Sequence, residues 1–369
     1  MEYDIRAIAE KFNLYGNLID SEPFGSGHIN DTYSLTCERD GNQLHYILQR
    51  INHHVFKNPL AMMENIRRVT NHIRLKLQEQ QNKLASRQLI VIATKDGSDF
   101  FLDDRGNYWR VYNRIENAFT YDTIESPELA YEAARMFGRF AALLKDLPGP
   151  PLHETIVDFH TTPKRLKTFM DVLGTDPCNR AKDAGLEIDF VLDNAGICDV
   201  LVNLAGKGEI PIRTTHNDTK INNVLLDAET HEGVCVIDLD TVMPGLSLYD
   251  FGDMVRTATN AAEEDERDLS KVTMRMPIFE MLLKGFAEET HTFLTPAEKK
   301  NMVFAGKLIT FEQMIRFLAD HLAGDVYYKI HHEGHNLDRC RTQMKMVQSI
   351  TAQEEAMNAL ADSVFAALS

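Results

Sequence analysis

Apolar and polar residues alternate through TYSLTC (32–37) and LHYILQRI (44–51), the two-residue period of half-buried strands. Asp40-Gly41 between them is a hairpin signal. The period then lengthens. Leu60, Met63, Ile66, Ile73 and Leu77 recur at helical spacing behind Asn58-Pro59, a cap residue followed by proline at the first helical position. Three more strand candidates follow, LIVIAT (89–94), DFFLD (99–103) and NYWRVYNRI (107–115), with Asp96-Gly97 and Arg105-Gly106 as the turns. The pattern predicts a small α+β lobe over residues 1–116, with five strands and one main helix.

Residues 117–369 read differently. Leu129, Ala133, Met136, Phe137, Phe140 and Leu144 draw one apolar face on a long helix at 127–146. Thr162-Pro163 opens another helix, and 180–205 reads as a third. Two strand-like runs, NNVLLD (222–227) and GVCVIDLD (233–240), form a hairpin between helices, and from about 270 the pattern is helical again. A strand-rich lobe followed by a larger helical lobe that carries its own hairpin is a distinctive order.

Charge removes two function classes. Thirty-nine Lys and Arg against 55 Asp and Glu leave a net charge of −16, so a general nucleic-acid binder or a protein drawn to anionic membranes is not expected. A phosphate-bearing ligand must then be held by a local site against the global field. Five scattered cysteines, none in a C-x-x-C pair, speak against a disulfide framework or a cysteine zinc site. The acidic start MEYDIRAIAEKFNL does not read as a secretory signal, and no run approaches a membrane span. The expectation is a soluble, reduced, intracellular chain.

The chemistry sits in His216-Asn217-Asp218-Thr219-Lys220-Ile221-Asn222-Asn223, followed by Ile237-Asp238. Phosphoryl transfer needs a carboxylate to orient the acceptor hydroxyl and take its proton, and hard oxygen ligands for magnesium on the nucleotide. H-x-D-x4-N supplies both from one loop, with Asp218 as base and Asn223 as metal ligand. Asp238, at the end of the neighbouring strand, would complete the metal site, and Lys220 lies where it would reach the transferring phosphate. Gly245 and Asp250 extend the array to I-D-x6-G-x4-D. The plainer reading of His216 and Asp218 is a polar turn before a strand, with Asp218 capping local backbone.

The two lobes and H-x-D-x4-N…I-D-x6-G-x4-D resemble the aminoglycoside phosphotransferase-like kinases, small-molecule relatives of the protein kinase fold. GSGHINDTY (25–33), YILQRIN (46–52), HNDTKINN (216–223), VIDLDTVMPGLSLYDFGDMVR (236–256) and HNLDRCRTQ (335–343) look more narrowly like the N-acetylhexosamine 1-kinase branch. The resemblance implies a cytoplasmic enzyme that uses ATP and Mg to phosphorylate the anomeric hydroxyl of N-acetylglucosamine or N-acetylgalactosamine. It says nothing of oligomeric state. Other acceptors on the same fold (an aminoglycoside, choline or homoserine) and a catalytically inactive nucleotide-binding scaffold remain open.

Gly25 and Gly27 would let backbone N–H groups approach phosphates, and His28 in that loop is implied to meet the sugar; an exposed loop histidine is the bland alternative. YILQRIN lacks the strand lysine of protein kinases and offers only Gln49 and Arg50. By likeness to choline-kinase-like relatives, Arg50 is expected to contact phosphate with Glu64 as its partner. Asn113 to Glu116 should link the lobes and offer backbone groups to adenine. Asp250 resembles the aspartate that braces the catalytic loop, and Asp240, Asp253 and Arg256 are open to the same network. In LITFEQMIRFLADHL (308–322), Glu312, Arg316 and Asp320 fall at i, i+4, i+8, either an exposed salt-bridged stripe or a wall that aims Arg316 into the cleft. The resemblance favours Arg316 and Tyr327 as acceptor contacts. His331-His332-Glu333-Gly334-His335 lacks metal-ligand spacing and reads as a loop or helix-end feature.

Overall fold

The computed structural model describes residues 3–25 and 29–368. A five-stranded antiparallel sheet comes first, in the order β1-β2-β3-β5-β4, from β1 (Asn17–Pro23), β2 (Asp31–Arg39), β3 (Asn42–Ile51), β4 (Phe101–Leu102) and β5 (Tyr108–Asn113). Arg39 pairs with Asn42 across Asp40 (φ 52°) and Gly41 (φ 78°), two positive φ values that turn the β2–β3 hairpin tightly. One face of the sheet buries Leu35, Cys37, Leu48, Trp109 and Val111 with Ile8 of the short helix α1 (Ile5–Ala9). On the other, Ile51 and Tyr112 share a core with Met62, Ile66 and Ile73 of α2 (Pro59–Glu79). Asn58 caps α2 as its sequence predicts, accepting from Ala61 N at 3.2 Å.

The strand count agrees with the sequence pattern, but its membership differs. β1 was not foreseen because its side chains are nearly all exposed and leave no apolar alternation. LIVIAT is not a strand: it meets β5 and the α1 end only at the isolated bridges Val91–Tyr112 and Phe12–Thr94. The Asn113 side chain takes the ladder's place there, accepting from Ile90 N at 2.6 Å and donating to Gln88 O at 3.1 Å. β4 shrinks to two residues because Asp103 turns the chain, its carboxylate accepting from Arg105 N and Asn107 N at 2.9 and 2.8 Å.

The second lobe is helical. Helix α3 (Pro127–Leu144) packs on α8 (Met276–Thr290), and α10 (Met302–Ala323) on α7 (Ser247–Ala258) and α11 (His335–Ala367). Around them lie α4 (Thr162–Thr175), α5 (Gly185–Asn194), α6 (Val200–Gly206) and α9 (Pro296–Lys300). Residues 180–205 are therefore two helices, broken by short 3-10 turns at 181–183 and 195–197. Two small sheets hold the cleft side: β6 (Ala118–Phe119) pairs with β8 (Val224–Asp227), which pairs with β9 (Gly233–Val236), and β7 (Arg213–Thr215) pairs with β10 (Met243–Gly245). Gly245 is required, since a Cβ there would stand 2.3 Å from Thr215 Oγ1; at Gly252 it would stand 2.5 Å from Ala305 O, so α7 lies directly against α10. No helix among the described residues is long and apolar enough to cross a membrane.

Candidate active site

The loop between β7 and β8 carries the predicted chemistry, and its backbone is held from below. Asp250 accepts from His216 N at 2.9 Å and Asn217 N at 2.7 Å, Asp253 accepts from Thr219 N at 2.9 Å, and Thr219 Oγ1 donates to Asp250 O at 2.6 Å. Burial pushes the Asp250 carboxyl above its ordinary range. Asn217 is left-handed at φ 66°, a conformation that Asn tolerates, and its side chain donates to Thr215 O and Thr241 O. His216 is fully buried, with Nε2 on Ile237 O at 2.9 Å and Nδ1 accepting from Asp218 N at 3.3 Å. One imidazole thereby joins the candidate base to the segment that presents Asp238.

Asp218, Lys220, Asn223 and Asp238 come together. Asn223 Nδ2 donates to Asp218 O at 2.8 Å and Oδ2 at 3.2 Å, and Lys220 Nζ lies 3.1 Å from Asp218 Oδ2. The Asp218 charge is the main reason that the Lys220 ammonium is held above its ordinary pKa. Asp238 sits just beyond β9 in left-handed backbone (φ 57°, ψ 60°), a conformation found at functional sites for non-glycine residues. The side chain is exposed, yet the loss of hydration beside the loop, and then Asp240 and Asp218, push its carboxyl above the usual carboxylate range. Asn223 Oδ1 has no protein partner among the described residues. A free amide oxygen beside mutually repelling carboxylates fits a hard divalent cation.

Asp240 does not join the brace under the loop. It pairs with Arg110 of β5, both buried, and accepts from Asn30 Nδ2 at 2.8 Å, so it reaches up to the sheet. Asp253 and Arg256 do belong to the brace, 2.8 Å apart. The expected Arg50–Glu64 pair is not formed. Arg50 is bound by Asp31 at 2.6 Å, and Glu64 by His153 at 3.0 Å. Strand alternation puts Arg50 on the face of Leu48 and Trp109, away from Gln49 and Arg110. Gly25 lies between β1 and β2 at φ 77°; Gly27 and His28 fall outside the described residues. Asn113 ends β5, and residues 113–117 with Arg87, Asp227 and Glu229 line a cavity of about 490 Å³.

On α10, Arg316 stacks 5.4 Å over Phe159 and 5.7 Å over Tyr328, donating to Gln313 at 3.0 Å. Arg165 lies close enough that burial and the Arg316 charge lower its pKa. Tyr327 is 62% exposed, its ring 4.8 Å from Tyr328. The Asp320 carboxylate gathers the N–H groups of Val326, Tyr327 and Tyr328 at 3.0, 2.8 and 3.0 Å. Glu312 is buried, bound by His160 Nδ1 at 2.8 Å and Thr162 Oγ1 at 2.6 Å, while His160 Nε2 donates to Asn217 O at 3.0 Å. The i, i+4, i+8 set is thus no exposed stripe, and His160, which connects it to the catalytic loop, carried no signal in the sequence. In the histidine cluster, His335 Nδ1 accepts from His331 N at 3.1 Å and Nε2 faces Asp265 at 2.9 Å. Ligand atoms of Asp265, His332 and His335 lie within 4.8 Å of one another, a grouping with the geometry to hold a metal ion that the spacing of residues 331–335 did not disclose.

Residues 20–271 match the phosphotransferase enzyme family. The chain belongs to that family. As a fold, this phosphotransferase is similar to an aminoglycoside phosphotransferase from Alicyclobacillus acidocaldarius, at 13% identity and a TM-score of 0.56 over 97% of this chain and 94% of that one. A choline kinase from Cryptosporidium parvum is similar at 12% identity and 0.55, over 98% and 99%. A spectinomycin phosphotransferase solved with ADP and spectinomycin is similar at 13% and 0.54, over 92% and 94%. The phosphotransferase shares with them a small antiparallel N-terminal lobe and a helical C-terminal lobe.

Proposed function

We propose that this phosphotransferase is an ATP- and Mg-dependent kinase acting on the anomeric C1 hydroxyl of an N-acetylhexosamine. The observation that carries the reaction class is the convergence of Asp218, Lys220, Asn223 and Asp238 on one loop and the strand end beside it. Asn223 Oδ1 and Asp238 would hold magnesium, which offsets phosphate charge when bound. Asp218 orients the hydroxyl and takes its proton, and Lys220 faces the transferring phosphoryl group. The C1–O bond is not broken, so the sugar keeps its anomeric configuration. Gly25 and Gly27 would cover the phosphates, and residues 113–116 would meet adenine.

The acceptor class rests on the wall of Arg316, Arg165, Tyr327 and Tyr328. Planar donors and open rings suit hydroxyls and an acetamide carbonyl. They repel polycations, so this wall disfavours an aminoglycoside despite the chain's net −16. His28 and Arg316 would contact the sugar, with Tyr327 stacking on it. The choice among sugars rests on the sequence resemblance. The test is ATP consumption with magnesium against N-acetylglucosamine, N-acetylgalactosamine, glucose, galactose, choline, homoserine and kanamycin. Turnover on the N-acetyl sugars with loss of the reducing end is expected. Turnover on kanamycin or choline alone would overturn the acceptor.

A further inference from the structure

Strand β3 carries no lysine, and across the antiparallel register from its Gln49 stands Arg110. Arg110 Nε and Nη2 both donate to Gln49 Oε1, at 3.0 and 2.8 Å, and Nη1 donates to Asp240. The guanidinium is 1% exposed and the Asp240 side chain 3%. Asn30, at the start of the segment leading into β2, donates to the other Asp240 oxygen at 2.8 Å and accepts from Asn52 N at 2.9 Å. Asp240 itself is two residues past the metal-ligand candidate Asp238. So a buried cation ties β3, which has no lysine, to the segment that carries Asp238. A guanidinium has five N–H donors, and the bonds above use three. One N–H on each terminal nitrogen takes none of these bonds, and because the side chain is covered an oxygen reaches it only where a neighbouring group gives way.

We infer that Arg110 is the inner phosphate-binding cation of this enzyme, replacing the absent β3 lysine from the neighbouring strand, with Asp240 as its counter-carboxylate in place of a helix glutamate. The inference rests on the reading of the cleft as a nucleotide site. Gln49 orients the fork and Asp240 ties it to the metal-binding segment, so phosphate and metal ligands are set by one rigid unit. Stability alone is a poor reason for such a pair, because well-packed apolar side chains of like volume often replace buried ion pairs without loss.

Calorimetry with ADP, with ATP and with adenosine separates this role from a structural strut and needs no acceptor. Arg110→Met is expected to lose about 10- to 100-fold in ADP affinity while adenosine stays within about threefold. Gln49→Lys/Arg110→Gln, which returns the cation to β3, is expected to recover about tenfold over Arg110→Gln alone. An unchanged ADP-to-adenosine ratio in Arg110→Met overturns the inference. So does a double variant no better than Arg110→Gln, and this comparison decides the matter if Arg110→Met does not fold. A parent that binds no nucleotide sinks the inference together with the nucleotide reading, whereas a protein that ignores N-acetyl sugars but shows these ratios loses only the acceptor.

Discussion

The two walls of the cleft carry opposite chemistry. Around the catalytic loop stand Asp218, Asp238 and Asp240, with Lys220 and Arg110 as their cations. Beside α10 stand Arg165 and Arg316 with the rings of Phe159, Tyr327 and Tyr328. The acidic groups of that second wall are already committed, Glu312 to His160 and Thr162, and Glu264 to Arg256 and Arg339. An excess of one sign marks what a bound partner brings. The first wall suits cations, and the second suits oxygen-rich, uncharged or anionic groups. On the function proposed above, the difference teaches that acceptor choice would be written in the wall the sequence motif does not include.

The largest effect expected is on the first wall. Asp218→Asn should lower turnover by about 10²- to 10⁴-fold while nucleotide affinity stays within about threefold. Steady-state kinetics beside equilibrium binding measures both, and undiminished turnover would remove Asp218 as base. On the second wall, Arg316→Met should raise the acceptor KM by about 10- to 100-fold and leave the ATP KM near parental. Equal rises in both would mean that the walls do not divide the work as described.

The smallest effect sharpens the join between the walls. Burial opposes charge on His160, but the Glu312 carboxylate, its hydrogen bond and the Asn217 carbonyl outweigh that and raise the imidazole pKa above 6.5. The raised folded value means that this contribution is full below the unfolded pKa and is lost as pH rises through the folded one. Glu312 is lowered, with His160 and Thr162 prevailing over burial, so its contribution fails only in acid below about 4.5. The melting-temperature gap between the parent and His160→Gln should therefore narrow from pH 6 to pH 9. A gap that widens across that range would show a neutral His160.

The β2–β3 hairpin, α2, α3, α4, α10 and the catalytic loop were legible because each combines a strong period with a specific start or turn residue, such as Asp40-Gly41 or Asn58-Pro59. β1 was hidden because an exposed edge strand has no apolar face to betray it. LIVIAT misled because apolar composition reports burial, not hydrogen bonding, and the Asn113 side chain took the backbone partner. Asp218, Lys220, Asn223 and Asp238 are local in sequence and could be read together. Arg110 and His160 could not, because each acts through partners more than 50 residues away: Arg110 through Gln49 at 61 and Asp240 at 130, His160 through Asn217 at 57 and Glu312 at 152. The Arg50–Glu64 pairing was misjudged because alternation gives two faces without saying which one meets α2, and Arg50 pairs with Asp31 instead.

Arg87, just after α2, donates to the carbonyls of both Glu116 and Asn117 and pairs with Asp227 on β8. A peptide unit is planar, so pinning those two carbonyls also fixes the headings of the N–H groups of residues 117 and 118. The short connector between the lobes is therefore set like type in a frame. On the proposed reading, a flat heterocycle laid against it would cost little further motion, because that ordering was completed when the chain folded.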